Sequence, residues 1–181
     1  MSIHSFKFLL FALLSTLILS GCAVQMDTKR LNEKIQVVVK AKPDGEFYKK
    51  ISSVKSNIRE FGDQKVTKDM INLETFKSIE KSLLSALRRF DLYSENGPYE
   101  LQIVAGHEKF PGFGADMAVS ARLTYELIVL KNKKVILQET VDTEYVARFD
   151  EAFVGVERAS IAAHGAFAKN IERICEILAR R

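Results

Sequence analysis

From Met117 to Val129 every second residue is apolar: Met117, Val119, Ala121, Leu123, Tyr125, Leu127 and Val129. Between them stand Ser120, Arg122, Thr124 and Glu126. A helix would scatter these side chains around its axis, whereas a strand puts one set on each face. One apolar and one wet face mark an antiparallel sheet covered on a single side. The flanking sequence agrees. Tyr99, Leu101, Ile103 and Ala105 alternate with Glu100 and Gln102. Lys131-Asn132-Lys133-Lys134 is a tight polar turn, and Val135 to Phe149 makes a partner strand with Gln138, Thr140, Asp142 and Glu144 on one face. The expected core is an antiparallel meander.

Helices supply the cover. Phe76, Ile79, Leu83, Leu87 and Phe90 form one stripe, predicting a helix from about Leu73 to Phe90 with Asn72 as N-cap. Phe167, Ile171, Ile174 and Leu178 form another, on a helix from about Glu157 to Ala179. Ala159, Ala162, Ala163, Gly165 and Ala166 keep its first half thin, so it can lie close on a sheet. Arg180 and Arg181 suit the negative end of its dipole.

The N-terminal half is less regular. Ile35 to Lys40 is β-branched and reads as a first strand, ended by Lys42-Pro43-Asp44-Gly45. Phe47, Ile51, Val54, Ile58 and Phe61 have helical spacing, with Gly62 as a stop. The serines at 52, 53 and 56 are weak helix formers, and a strand from Phe47 to Val54 is the rival reading. Ala23 to Lys34 is polar, carries mixed charges and reads as a tether.

Few residues carry chemistry. His107 stands at a strand end beside Glu108 and reads as solvated. His164 reads as a helix-surface or partly packed side chain. Neither has a partner at a metal-ligand spacing, and no P-loop, dinucleotide fingerprint or nucleophile elbow occurs. The expected cofactor and metal complement is therefore none. Cys175, beside Ile174 and Leu178, reads as a buried inert thiol. With 27 basic and 23 acidic residues the charge is mixed, which does not argue for nucleic acid. The best candidate contact is the loop Phe110 to Gly114. Phe110 and Phe113 flank Pro111-Gly112 and either form an exposed partner anchor or fold back on the core. Phe149 to Arg158 poses the same choice: its aromatics either staple the strand-to-helix corner or rim a groove.

Near the N-terminus, Lys7 precedes an apolar run from Phe8 to Leu19, too short to span a bilayer but suited to a signal-peptide core. It ends in Leu19-Ser20-Gly21-Cys22, which resembles the lipobox of bacterial lipoproteins. That resemblance implies removal of residues 1–21 and lipidation of Cys22. Ala23 after the cysteine, by resemblance to enterobacterial sorting, implies the outer membrane, with the inner membrane as the alternative. Two further blocks resemble a group of small, uncharacterised Gram-negative envelope lipoproteins. One is Phe110 to Val119 followed by Tyr125-Glu126-Leu127. The other is Phe153 to Arg158 with Ala166, Asn170 and Ile171. This likeness implies no catalytic residues. The element order also resembles the fold of the curli-secretion lipoprotein and of the lipoprotein activator of penicillin-binding proteins. The stretch Phe47 to Lys68 departs from it in lacking the Gly- and Pro-rich pattern expected after the first strand in such relatives.

The resulting expectation is an α/β domain of α+β type, an antiparallel meander covered on one face by helices, including a long C-terminal helix. Residues 1–21 are the lipoprotein signal peptide, 22–34 a lipidated tether, and 35–181 a single periplasmic domain. The expected role is non-enzymatic: an accessory or binding lipoprotein in envelope assembly, transport or secretion. It is held to the membrane through lipid on Cys22 and binds an envelope protein partner. The alternative class is a small envelope hydrolase acting on glycan or lipid.

Overall fold

A computed structural model describes residues 25–58, 71, 73–110 and 114–181. In chain order the elements are α1 (Thr28–Lys34), β1 (Ile51–Ser56), α2 (Leu73–Arg89), β2 (Tyr99–Lys109), β3 (Met117–Val129), β4 (Val135–Ala147) and α3 (Gly155–Ala179). The sheet order is β1-β2-β3-β4. β2, β3 and β4 form the expected antiparallel meander, and β1 adds a parallel edge beside β2. A parallel neighbour needs a crossover, and α2 lies within that connection. The fold is mixed α+β, mostly antiparallel, with a long C-terminal helix.

The alternation in β3 does what it requires. Val119, Ala121, Leu123, Tyr125 and Leu127 are buried beneath α3, and Leu101 and Ile103 of β2 join them. The opposite face carries polar pairs across β3 and β4: Arg122 bonds Asp142 at 2.5 Å, and the Thr124 and Thr140 hydroxyls meet at 3.0 Å. The stripes of both long helices are buried, including Phe76, Ile79, Leu83, Leu87, Phe167, Ile171, Ile174 and Leu178. Cys175 is buried, as its context implied, and burial pushes its thiol up.

A buried polar cluster fixes α3 on the meander. The Tyr125 hydroxyl donates to Asn170 Oδ1 at 2.8 Å. Asn170 Nδ2 donates to Val141 O at 2.8 Å and Ala121 O at 3.1 Å. Thr143 Oγ1 donates to Ala166 O at 2.8 Å. Five residues earlier on the helix, Gly165 rests on the Tyr145 ring. A Cβ there would lie 2.3 Å from Tyr145 Cγ, closer than atoms can approach. The thin face read in the sequence is thus used for close approach.

Three N-terminal expectations are corrected. Ile35 to Lys40 is not a strand. It is extended, and alternate residues face inward from buried Ile35 to buried Ala41, but it crosses the helix layer. Its backbone bonds go to the Arg89 guanidinium, the Glu172 carboxylate and, from Ala41 N, to Phe90 O. The described part of the segment from Phe47 to Phe61, which is Phe47 to Ile58, is not a helix: Phe47 sits in a turn and the rival strand forms as Ile51–Ser56. Its serines are satisfied by the sheet, Ser52 Oγ by Tyr99 O and Ser53 Oγ by Glu100. The segment read as a tether becomes helical at Thr28. Asp27 caps it by accepting from Arg30 N at 2.8 Å, and Leu31 is fully buried. Smaller differences are that α3 begins at Gly155 rather than Glu157, and β4 ends at Ala147 rather than Phe149. Asn72, Phe61 and Gly62 lie outside the described residues.

Candidate functional site

The ends of β2, β3 and β4 and the start of α3 meet at one tip of the molecule, where the two loops singled out in the sequence come together. Arg158 holds them. Its Nη1 donates to Ala152 O at 2.6 Å and Phe153 O at 2.8 Å, and its Nη2 reaches Gly114 O at 3.4 Å. The same guanidinium lies 5.0 Å from the Phe149 ring centre, a cation–π distance. Phe149 N donates to Asp116 Oδ1 at 3.1 Å, a second tie between the loops. Glu151 closes the corner by accepting from Arg148 N at 2.8 Å and Tyr145 OH at 3.1 Å.

On this frame stands a set of apolar side chains in water. Phe153 is 79% exposed, Val154 61%, Phe149 48% and Phe110 43%. Val146 and Val156 are exposed beside them. Phe149 and Phe153 stack edge to face with centroids 5.3 Å apart. Of the two rings proposed as a partner anchor, Phe110 is exposed here, and Phe113 lies outside the described residues, as does Cys22.

The start of α3 breaks a local rule. Its N-cap is Val154, with no side-chain cap bond. Valine is among the poorest N-caps, and Ser, Thr, Asn or Asp there would typically add about 1 kcal/mol. Apolar character at this position is kept at the expense of helix stability.

The histidines separate. His107 lies exposed on the open sheet face, lining a shallow hollow of about 340 Å³ with Lys109, Ser120, Arg122 and Asp142. No relay is assembled there: Ser120 Oγ donates to Glu144 at 3.2 Å, and Asp142 is engaged by Arg122. His164, expected at a helix surface or partly packed, is instead 1% exposed. Its Nδ1 bonds Ser160 O at 2.7 Å, and Nε2 accepts from Asp27 N at 2.9 Å. That pattern places the proton on Nδ1 and requires a neutral ring. Burial holds its pKa below the usual value of 6.5. Near the tip, the half-buried Glu108 carboxyl is pushed up to about 7 by desolvation. Neither ring position nor carboxyl burial is visible in a sequence, since both depend on which strand end meets which helix.

Among the described residues no group of three His, Cys, Asp or Glu is placed to hold a metal ion, and no helix is long and apolar enough to cross a membrane.

The architecture is that of a mixed α+β domain. The minor lipoprotein of Acinetobacter baumannii superposes with a TM-score of 0.50 at 14% identity, over 74% of this chain and 92% of that one. Rare lipoprotein B from Shewanella oneidensis gives a TM-score of 0.46 at 9% identity, over 72% of this chain and 94% of that one. No family model matches the sequence. No curated protein matches it either. The chain therefore shares its fold with the Acinetobacter baumannii protein.

Proposed function

We propose that the protein is a lipid-anchored accessory lipoprotein of the periplasmic face of the outer membrane, acting in envelope assembly, transport or secretion. It works by contact rather than by catalysis. The observation that carries this reading is the tip. Loops from three strand ends and one helix converge there, and a buried arginine braces them. The braced frame displays Phe110, Phe149, Phe153 and Val154 to solvent. Exposed aromatic clusters on a rigid frame are typical of binding surfaces. The lipoprotein fold and the lipobox resemblance at Cys22 support the address.

The test is complementation of a deletion strain at matched protein levels. Phe110→Ala, Phe113→Ala and Phe153→Ala should each weaken function while leaving the fold intact, and His107→Ala should be silent. The reverse ranking, with His107→Ala inactive and the three Phe variants normal, would put a hydrolase acting on glycan or lipid in its place.

A further inference from the structure

The N-terminus of α1 and the tip point the same way. Asp27 N bonds His164, and Gln36 N bonds Glu172 eight residues further along α3. α1 and α3 are therefore parallel. Met26 O accepts from Ser78 and Asn32 O from Arg89, so α2 runs parallel to them as well. Following α1 back toward its N-terminus at Asp27 thus leads in the direction of the α3 N-terminus, where the tip lies. Nine residues separate His164 from Gly155, about 13 Å of helix. Cys22 precedes Asp27 by five residues, at most about 18 Å of extended chain.

We infer that the tip seats on the bilayer that holds Cys22, with Phe149, Phe153, Val154 and Val156 entering the boundary between headgroups and acyl chains. This rests on the reading of Cys22 as the lipidated residue. A covalent tether of this length keeps the tip within a few nanometres of lipid at all times. Even a marginal apolar contact is then occupied, because its second binding event is intramolecular. The charge around the tip fixes the kind of contact. Lys109, Arg148 and Arg158 are opposed by Asp116, Asp150, Glu151 and Glu157. Among the described residues no cationic excess exists there to attract anionic lipid, so the contact is hydrophobic and zwitterionic phospholipid suffices.

The natural chain has no tryptophan, so one introduced indole reports alone. Full-length, membrane-purified protein carrying Phe153→Trp is reconstituted into phosphatidylcholine vesicles with and without acyl-brominated lipid. Val38→Trp is the control. Val38 is 72% exposed on the segment that crosses the helix layer at the far ends of α2 and α3. The expected result is a blue-shifted emission for Phe153→Trp and bromine quenching severalfold stronger than for Val38→Trp. Both should be unchanged in about 0.5 M salt, where surface charge attraction is screened. Equal quenching at the two positions, on protein that floats with the vesicles, overturns the inference and leaves the anchor standing. A blue shift without lipid quenching, together with crosslinking of Phe153→Trp protein to a second copy, overturns it in favour of self-association. Loss of flotation, with no acyl mass on Cys22, fails the anchor reading itself and the inference with it.

Discussion

Helix α3 begins at Val154 with no cap and with apolar side chains standing in water. About four turns later, at Asn170, every polar atom is buried and bonded, and the helix lies so close to the sheet that Gly165 touches an aromatic ring. The two regions belong to one helix and are built on opposite principles. Around Asn170, local choices and tertiary packing agree, as in a segment whose task is to hold the fold. Around Val154, propensity and burial are both violated on a braced frame. Such violations are expected where a surface is kept for contact.

The two regions should differ most in what a truncation costs. Ile174→Ala removes a fully buried side chain beside the polar cluster and should cost roughly 2–5 kcal/mol in denaturant unfolding. Phe153→Ala should change stability by less than about 0.5 kcal/mol, as an exposed substitution does. Equal losses for the two variants would mean that the tip is structural. Next in size is Gly165→Ala, where the new Cβ must displace the Tyr145 ring near its root. A loss of about 1–3 kcal/mol is expected from overpacking.

Titration sharpens the contrast, because two groups respond with opposite signs. Glu108 has its folded pKa raised from 4.5 to about 7. The folded state then holds more protons than the unfolded state between those values. The Glu108 contribution is therefore lost as pH rises through that window, and it amounts to about 3 kcal/mol before solvent screening of this half-buried group reduces it. Glu108→Gln should stabilise the protein at pH 8 and change it little at pH 4. His164 has its folded pKa lowered below 6.5. Its contribution is present above pH 6.5 and is lost as pH falls through the folded value. Arg30 and Lys34 add to the cost of a charged ring, and Asp27 offsets part of it. The protection of the Arg30 amide, measured against its intrinsic exchange rate, should fall on acidification, as α1 loosens, before that of the sheet amides. A flat profile for Arg30 would show that His164 does not hold α1. A small gain is also the most diagnostic effect. Val154→Asp should raise stability by about 0.5–1 kcal/mol through the missing cap, while weakening function. A gain in both would mean that the valine has no role.

What the sequence disclosed follows from period and length. β3, α2 and the body of α3 each repeat one pattern over many residues, and tertiary structure had no reason to override it. Ile35 to Lys40 also carries a genuine alternation. Period two reports an extended backbone with two faces, though not what lies beside it, and here the neighbours are helix side chains. α1 has seven residues and a single buried leucine, Leu31, which is too little for any periodic signal. At the tip the aromatics of both loops were legible one by one. Their union was not, because it depends on Arg158 reaching Gly114 across 44 positions of chain.

The parallel run of α1 and α3 also has a mechanical meaning. On the proposed anchoring through Cys22, any pull on the N-terminus would be delivered at Met26 and Asp27 and directed along the helix axes. The bonds at Ser78, His164, Ser82, Arg89 and Glu172 are spread along that direction. They would be loaded together in shear, not peeled one after another as at a strand edge. A drag on the lipid would then be shared by the three helices, with α1 as the domain's strain relief.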